Sequence, residues 1–500
     1  MSKQFINDKN LQQLAVHAAI PGYDRSQVAP GIVHLGLGAF HRAHQAAYTE
    51  AVLASGDLRW GIVGVSLRQA DTRNALAPQD QLYTLAIRSE QEERLQLIGA
   101  LVKSLLAPED PAAVLAAMAD PRCHIVSLTV TEKGYCHDPA SRALLLDHPD
   151  IVHDLARPDS PRSALGFIVH ALALRKQADI APFTVLSCDN LPSNGDTTRG
   201  LVLAFAEKVD ISLAVWIAEK GAFPNAMVDR IVPKTTDTDR EHIASVLGAE
   251  DAWPVMTEAF TQWVIEDKFA GPRPAWERVG VTIVSDAQPY EHAKLRMLNG
   301  SHSSLAYLGI LMGYATVDQT MQDVYLPQFI SGMMAQEIAP TLSRPGLDAY
   351  RTELLQRFRN PALKHQLHQI AMDGSQKMPQ RLLGTIRARL AAGLGIERLC
   401  FAVAGWLRYL AGATDAGAAY ELSDPLAVTL KTAATAPSDR VQALLNITAV
   451  FGSDLPADRR FVESIGRHYR RISELGTATA LQQLSAELAE LAGMEAEHAR

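Results

Sequence analysis

Three residues near the middle of the chain have side chains that together suit the chemistry of a secondary alcohol. Lys294, Asn299 and His302 lie close together in the stretch from Pro289 to Leu311, which also carries many apolar residues. A lysine can act as a general base when burial or a nearby cation lowers its pKa from about 10.4. An asparagine amide can donate to a developing alkoxide, and a histidine can orient a hydroxyl. The set therefore indicates proton transfer at an alcohol or a carbonyl.

The stretch around Lys294 predicts one continuous helix, since Asp286 can cap it and Pro289 is acceptable in its first turn. On a wheel of about 100° per residue, one arc of about 140° holds Lys294, Leu305, Leu298, Glu291, His302 and Asn299. Because leucines share the arc, it is expected to face inward, where polar side chains need a partner. Arg296 falls about 200° from Lys294, outside the arc. The alternative is a set of surface polar residues, or core polar residues satisfied by the backbone.

A second candidate feature is a glycine pair between a short apolar strand and a helix. The segment from Ile32 continues through Gly36 and Gly38 into a helix that is expected to end near Ser55. Glycines at a strand-to-helix turn let the backbone approach a pyrophosphate at the helix N-terminus. The third glycine of the usual fingerprint is replaced by His41, so a simple strand-turn-helix stays an alternative.

Four motifs along the chain resemble those of one family. They are Gly36-x-Gly38-x-Phe40-His41-Arg42-Ala-His44, Thr131-Glu-x-Gly-Tyr135, Cys188-Asp-Asn-Leu-Pro192, and Lys294-x4-Asn299-x2-His302. The chain resembles the polyol-specific long-chain dehydrogenase/reductase family, also called the mannitol dehydrogenase family. The resemblance implies an α/β fold, with an N-terminal Rossmann-type NAD-binding domain over 1–287 and a mostly α-helical substrate and catalytic domain over 288–500. Helical periodicity from Pro345 to Leu491 agrees with the second part.

The resemblance also implies the residues that bind NAD. They are Gly36, Gly38, Phe40, Arg42, Asp71, Thr131 and Asn190. An acidic residue after the second strand can hydrogen-bond the adenosine ribose, so Asp71 favours NAD over NADP. The alternative for Asp71 is a helix cap, and Arg68 nearby leaves tolerance for NADP.

The catalytic roles implied by the resemblance extend to both domains. Lys294 is expected to be the general base, while Asn190 and Asn299 hold the alkoxide from two sides of a cleft between the domains. His302 and Asp229 are expected to orient hydroxyl groups. Glu291 either passes the proton to solvent or forms an ion pair with Lys294.

The substrate prediction depends on two segments, residues 294–303 and 371–383, which resemble the fructuronate reductase branch more than the mannitol branch, and on three cations. Arg296, Lys377 and Arg381 are candidates for binding a carboxylate, and the last two lie in a segment from Asp373 that is expected to be a loop. These cations favour D-mannonate and D-fructuronate, the substrates of the fructuronate reductase branch. Alternatives are a neutral polyol, as for mannitol 2-dehydrogenase or arabinitol dehydrogenases, and an NAD-binding module without activity.

Composition excludes several other classes. A chain of 500 residues that is 47% hydrophobic is long enough to form two packed domains. Its formal net charge of −8 argues against nucleic-acid or membrane partners. Four scattered cysteines predict no disulfide framework, and a cytoplasmic location is expected. His34, His41 and His44 lack further ligands at zinc-site spacing, so no metal is expected. The resemblance favours a monomer, with a weak homodimer as the alternative.

Overall fold

The computed structural model describes residues 4–89, 91–138, 141–362, 364–437 and 439–498. The chain divides into two compact units, Met1–Gln288 and Pro289–Arg500. The first unit contains a parallel sheet with helices, and the second unit is built from helices.

The described strands all belong to the first unit. They are β1 (Pro30–Leu35), β2 (Gly61–Ser66), β3 (Tyr83–Arg88), β4 (Glu93–Ile98), β5 (Leu101–Leu106), β6 (Ile125–Leu128), β7 (Thr184–Ser187), β8 (Ala226–Asp229), β9 (Val255–Glu258), β10 (Gln262–Glu266) and β11 (Thr282–Val284). Five of them form a sheet in the order β5-β2-β1-β6-β7, with every neighbouring pair parallel. The strand order reverses between β1 and β6. In open α/β sheets, ligands bind in the crevice that such a reversal leaves at the carboxyl ends of the strands.

The central strands are buried along almost their whole length, as expected for a parallel sheet covered on both faces. Two separate apolar clusters contain alternating residues of these strands: Val33 and Leu35 lie in one, and Ile32 in the other. The helices of this unit are Leu11–Leu14, Ala39–Ala43, Gln45–Ala54, Asp71–Leu76, Pro111–Ala119, Pro149–Ala156, Ala164–Gln177, Asn194–Val209, Ile211–Lys220 and Asp237–Leu247.

Two three-stranded sheets complete the first unit. In one, β10 pairs with β8 antiparallel and with β11 parallel. In the other, β3 pairs with β4 antiparallel and with β9 parallel. The first of these two sheets presents the end of β8, where Asp229 lies.

The second unit consists of helices around a single apolar core. Its α-helices are Gln288–Ala293, Gly300–Leu311, Val317–Thr320, Leu326–Gly332, Leu347–Arg359, Leu367–Ala371, Gly374–Met378, Gly384–Ala391, Glu397–Tyr409, Ala427–Ala434, Arg440–Leu445, Thr448–Phe451, Arg459–Leu475 and Thr477–His498. Three described segments are π-helical: Lys294–Asn299, Met333–Ile338 and Pro379–Leu383. The predicted fold class, a Rossmann-type α/β domain followed by a helical domain, is confirmed.

The helix predicted from Pro289 to Leu311 differs from the structure in its middle. An α-helix begins at Gln288, and Asp286 Oδ1 accepts from the Gln288 amide at 2.9 Å, just before the start of the helix. At Lys294 the hydrogen bonding changes to the π pattern, and it returns to the α pattern at Gly300. The prediction of one continuous α-helix is therefore wrong over Lys294–Asn299.

Candidate active site

The π-helical segment changes the relative placement of Lys294 and Asn299. A π-turn is closed by a bond between residues five apart, and the Gly300 amide bonds the Leu295 carbonyl in this way. Two residues five apart are therefore separated by a smaller angle around the helix axis than an α-helical wheel predicts. Lys294 and Asn299 are such a pair. The separation of about 140° on the wheel is accordingly an overestimate. Both side chains are half-buried.

A second π-helical segment, Pro379–Leu383, packs against the first one. A Cβ on Gly300 would lie 3.0 Å from the Arg381 carbonyl oxygen, so only glycine permits this approach without a shift. Arg381 Nη1 donates to Ser303 Oγ at 3.0 Å and to the Asn299 carbonyl at 3.4 Å. Arg381 is thus bonded to the segment that carries Asn299.

The segment from Asp373 is helical rather than a loop, which corrects the sequence prediction. It forms the helix Gly374–Met378 and continues directly into Pro379–Leu383. The Ser375 amide and hydroxyl donate to Asp424 at 2.7 and 2.6 Å, and these bonds fix the start of the helix. Pro379 lies at the first position of the π segment. Lys377, on this helix, donates to the Ile370 carbonyl at 3.2 Å.

His302 lies in an apolar and cationic environment. Its side chain is buried, with ring centroids 4.7 Å from Phe358 and 5.3 Å from His365. Burial, followed by the nearby His365, Arg357 and Arg381, lowers the pKa of His302 well below its usual value. The imidazole is therefore neutral at physiological pH, so one ring nitrogen can donate a hydrogen bond and the other can accept one.

Arg296 has a different environment from the other predicted cations. Its Nη1 donates to Thr341 Oγ1 at 3.0 Å and to the Thr341 carbonyl at 3.2 Å. Burial lowers the pKa of Arg296 below its usual value. These bonds fasten the π segment to the turn at Thr341, which is a structural role.

In the first unit, the turn after β1 has the conformation that its glycines allow. Gly36 has a φ of +97°, and a Cβ there would lie 2.2 Å from the Thr129 carbonyl oxygen. Gly38 is the N-cap residue of the helix Ala39–Ala43. A Cβ on Gly38 would have one neighbour within 4 Å, the Gly36 carbonyl oxygen at 3.8 Å. The turn can therefore accept a pyrophosphate against its backbone.

A cavity of about 310 Å³ lies at the carboxyl ends of β1, β2 and β6. Its walls are residues 36–38, 66–69 and 129–131, Gly134, and residues 162–164. Three predicted cofactor residues, Gly36, Gly38 and Thr131, are among them. The cavity thus lies beside the glycine turn, at the strand ends where open α/β sheets bind ligands.

Four predicted cofactor residues are not in the wall of this cavity. Arg42 is buried, donates to the Trp253 carbonyl and lies 5.2 Å from the Tyr83 ring centroid, so it braces the interior. Phe40 stacks on the His44 ring at 5.2 Å. Asp71 is exposed in the first turn of Asp71–Leu76, and Asn190 is exposed after β7. The glycine motif places Phe40 and Arg42 near the turn, but the direction of their side chains depends on packing that the motif does not specify.

Asp189 is a residue that the sequence analysis missed. Its carboxylate accepts from the Val130 and Thr131 amides, each at 2.9 Å, and from the Tyr135 hydroxyl at 2.8 Å. Thr131 has a φ of +63°, which is costly for a β-branched residue and needs such support. Burial raises the pKa of Asp189, and its hydrogen-bond donors oppose that rise. Its position in the Cys-Asp-Asn motif, at the end of a strand beside β6, was the available signal.

Asn194 connects the segments that carry Asn190 and Asp229. Its Nδ2 donates to the Asp189 carbonyl at 3.1 Å and to the Ala226 carbonyl at 2.8 Å. Its Oδ1 accepts from the Ala226 amide at 2.8 Å. Asp229 is buried at the end of the same strand, β8. The two predicted polar groups of the first unit are therefore held on one hydrogen-bonded frame.

The histidines of the glycine turn form a packed cluster. His34 bonds Ser127 Oγ and Thr129 Oγ1, each at 2.8 Å, and stacks on His41 with centroids 3.4 Å apart. Burial lowers the pKa of His34 to about 3. Within the described parts of the chain, the one group with the spacing of metal ligands is elsewhere, at Cys136, His148 and Asp150.

Comparison with known proteins agrees with this architecture. The family model described as the mannitol dehydrogenase Rossmann domain matches residues 30–278, and the mannitol dehydrogenase C-terminal domain matches residues 286–473. D-mannonate oxidoreductase of Escherichia coli (strain K12) is 46% identical over 476 residues, covering 93% of this chain and 98% of that protein. Mannitol 2-dehydrogenase of Phaeosphaeria nodorum is 42% identical over 487 residues, covering 96% and 85%.

One solved structure extends the comparison to the fold. The Pseudomonas fluorescens mannitol 2-dehydrogenase, in a ternary complex with NAD and D-mannitol, has a TM-score of 0.86 and 41% identity. The match covers 97% of this chain and all of that one. The chain belongs to the mannitol dehydrogenase family. It is an oxidoreductase of that family, and the family predicted from the motifs is confirmed.

Across the residues that the structure describes, no helix combines the length and apolar character needed to span a membrane.

Proposed function

We propose that the chain is an NAD-dependent secondary-alcohol dehydrogenase that interconverts D-mannonate and D-fructuronate. The observation that carries the proposal is the π-turn from Lys294 to Asn299, which brings an amine and an amide toward one side of a helix. Helical π segments of this kind are frequent at functional sites. The 46% identity to D-mannonate oxidoreductase agrees with this substrate, as the 42% identity to mannitol 2-dehydrogenase agrees with the second candidate below.

The first unit supplies the cofactor site. The cavity at the glycine turn offers backbone at Gly36 and Gly38 to a pyrophosphate, and Thr131 also lines it. The similar Pseudomonas fluorescens structure was solved with NAD. When bound, NAD supplies the hydride acceptor, and the protein supplies orientation and proton transfer.

The second unit supplies the base. We assign Lys294 to remove the hydroxyl proton, and Asn299 and Asn190 to donate to the oxygen as it becomes an alkoxide. The neutral His302 can hold a hydroxyl as donor or acceptor, and Asp229 holds another. Glu291, three residues before Lys294, is assigned to pass the proton onward. None of these steps needs a metal.

The acidic substrate is supported by two cations. Lys377 and Arg381 lie four residues apart on the continuous helical segment from Gly374 to Leu383, and Arg381 bonds the segment of Asn299. A carboxylate is recognised well by cations of this kind. Arg296 is the third candidate, and like the other two cations it also bonds a protein group, here the hydroxyl and carbonyl of Thr341.

The second candidate function is a neutral polyol dehydrogenase. The observation that favours it is the similarity to the Pseudomonas fluorescens enzyme, whose complex contains D-mannitol. The two candidates differ in one chemical group, the carboxylate, so the cations of the second unit distinguish them.

The substrate is tested by following NADH absorbance with D-fructuronate, D-tagaturonate and D-fructose. D-Fructuronate is expected to have the highest kcat/KM. Lys377→Met is expected to lower kcat/KM for D-fructuronate by about 10- to 100-fold, as for loss of a charged hydrogen bond, and to affect D-fructose less. Lys431→Met, at an exposed position of the same unit, is the matched control. Equal or better turnover of D-fructose would assign the enzyme to the neutral polyols.

The base is tested with Lys294→Ala. Turnover is expected to fall by about 10²- to 10⁴-fold, while the dissociation constant of NAD stays unchanged, since the lysine acts on the substrate hydroxyl. Near-normal turnover would refute the assignment. If the unmodified protein binds NAD and reduces none of the three ketones, the chain is a binding module and the proposed activity is wrong.

A further inference from the structure

A second cavity adjoins the dinucleotide cavity. It has a volume of about 500 Å³ and shares Leu67, Arg68 and Arg162 with the first one. Ala107 and Pro108, which directly follow β5, also line it, so it opens at the carboxyl ends of β2 and β5. In a doubly wound sheet the end of the second strand is where the adenosine ribose lies. The second cavity is therefore the adenosine end of the site.

The wall after β2 does not have the chemistry of a strict NAD site. Residues 66–69 are Ser-Leu-Arg-Gln, with no carboxylate to accept from the ribose 2′-hydroxyl or to repel a 2′-phosphate. Asp71, the acidic residue that follows, is exposed in the next helix and is not in either cavity wall. The residue predicted to discriminate between the two cofactors is thus not among the groups that line the two cavities.

We propose that Arg162 and Arg68 form a 2′-phosphate subsite, so that the chain binds NADP as well as NAD. This inference rests on the proposed dinucleotide function and names the cofactor range of that same site. Arginine is suited to the task, because its planar guanidinium donates two parallel hydrogen bonds to phosphate oxygens.

Arg162 is the principal residue of the subsite. Its backbone amide is fixed, since it donates to Asp154 Oδ1 at 2.8 Å. Its guanidinium has no hydrogen-bond or ion-pair partner among the residues that the structure describes. A cation in a cavity wall without a carboxylate partner is available to an incoming anion.

Arg68 is the second cation, and it shares its charge with a carboxylate. Its Nη2 lies 2.5 Å from Asp150 Oδ2, while the Arg68 side chain is 63% exposed. Asp150 is the single carboxylate among the described residues of the two walls. His153, also in the wall, lies 3.0 Å from Asp154 Oδ1. Within the walls two guanidiniums face one carboxylate, while the Asp154 carboxylate, which also interacts with Arg68, is bonded to the backbone amides of Arg162 and Ser163.

Asp150 also provides the alternative that the experiment must separate. A carboxylate near the ribose can hydrogen-bond the 2′-hydroxyl and exclude a phosphate, which would make the chain specific for NAD. The two cases predict different effects of Asp150→Asn. Under both readings the variant binds NADP more tightly, because a negative charge is removed, so the effect on NAD decides: NAD affinity stays unchanged under our proposal and falls in the alternative.

The test is titration calorimetry of NAD and NADP with the full chain, which measures binding without turnover. NADP is expected to bind with a dissociation constant within about tenfold of that for NAD. Arg162→Leu is expected to weaken NADP by about 10- to 100-fold, and NAD by less than about threefold. The double variant Arg68→Gln/Asp150→Asn removes the second cation without leaving an unpaired carboxylate. Arg157→Leu, an exposed arginine outside the two walls, is the control.

The outcomes separate this inference from the function on which it rests. If NAD binds and NADP does not, or if Arg162→Leu weakens both dinucleotides equally, the phosphate subsite is wrong and the NAD-dependent function stands. If neither dinucleotide binds the unmodified protein, the proposed function fails together with the subsite. A steeper salt dependence for NADP than for NAD, lost in Arg162→Leu, supports the subsite directly.

Discussion

Replacing Glu50 by glutamine is expected to remove a pH dependence from the stability of the first unit. Glu50 is 3% exposed in the helix Gln45–Ala54. Its Oε2 accepts from the Gly99 amide at 2.7 Å and from the Tyr23 hydroxyl at 2.9 Å. Burial, opposed by these donors and by Arg25, raises the pKa of Glu50 from its ordinary value of 4.5 to about 7.

The sign follows from proton binding. Between pH 4.5 and 7 the folded chain holds a proton on Glu50 that the unfolded chain has lost, so the free energy of unfolding falls as the pH rises. The stabilisation is fully present below pH 4.5 and is lost through pH 7. A rise of this size corresponds to about 3 kcal/mol, at about 1.4 kcal/mol per pKa unit.

The assay is urea unfolding at 25 °C and fixed pH values from 5 to 8. Relative to the unmodified protein, Glu50→Gln is expected to gain about 2.5 kcal/mol between pH 5 and pH 8, because its amide is not charged at either pH. Glu207→Gln, at an exposed carboxylate, controls for a general effect of removing one negative charge. A difference between Glu50→Gln and the unmodified protein that does not change with pH would refute the argument.

Two further predictions concern the site. Gly300→Ala places a Cβ 3.0 Å from the Arg381 carbonyl oxygen. In urea unfolding it is expected to lower the free energy of unfolding by about 1–3 kcal/mol, and it is expected to lower kcat. The control is Gly200→Ala, where a Cβ meets nothing within 4 Å and the effect is expected to be neutral or stabilising. Asp189→Asn replaces a carboxylate oxygen by an amide NH₂ that faces the backbone donors of Val130 and Thr131. Calorimetry is expected to show dinucleotide binding weakened about tenfold. The control Asp147→Asn, at an exposed position, is expected to leave the affinity unchanged. Unchanged kcat in the first variant, or unchanged affinity in the second, would contradict these roles.

The outline of the fold could be predicted because its signals are local. The strand that precedes Gly36 is apolar and short, and the strands around it are buried on both faces, which is the pattern of a parallel sheet. Helical periodicity after Pro345 similarly predicted the second unit. Motif matches identified the family, which periodicity alone does not.

The π-turn could not be predicted, because the hydrophobic pattern of the segment is the same as that of an ordinary α-helix. The segment from Lys294 to Asn299 reads as an ordinary amphipathic helix, and a wheel assumes that every turn is closed by the same bond. The close approach of the Arg381 carbonyl to Gly300 belongs to tertiary packing between segments about 80 residues apart. An arrangement that depends on such a contact is visible only in the folded chain.

The roles of Arg42 and Asp189 show a related difference between a motif and a site. A motif specifies which residues occur at a turn, and both residues occur in motifs. Arg42 lies inside the unit and bonds the Trp253 carbonyl, whereas Asp189 holds the backbone at Thr131 from the neighbouring strand. The second role was accessible in principle, since β6 and β7 pair in parallel and their carboxyl ends must lie side by side. Reasoning about which strand ends are neighbours therefore identifies positioning residues that motif matching does not.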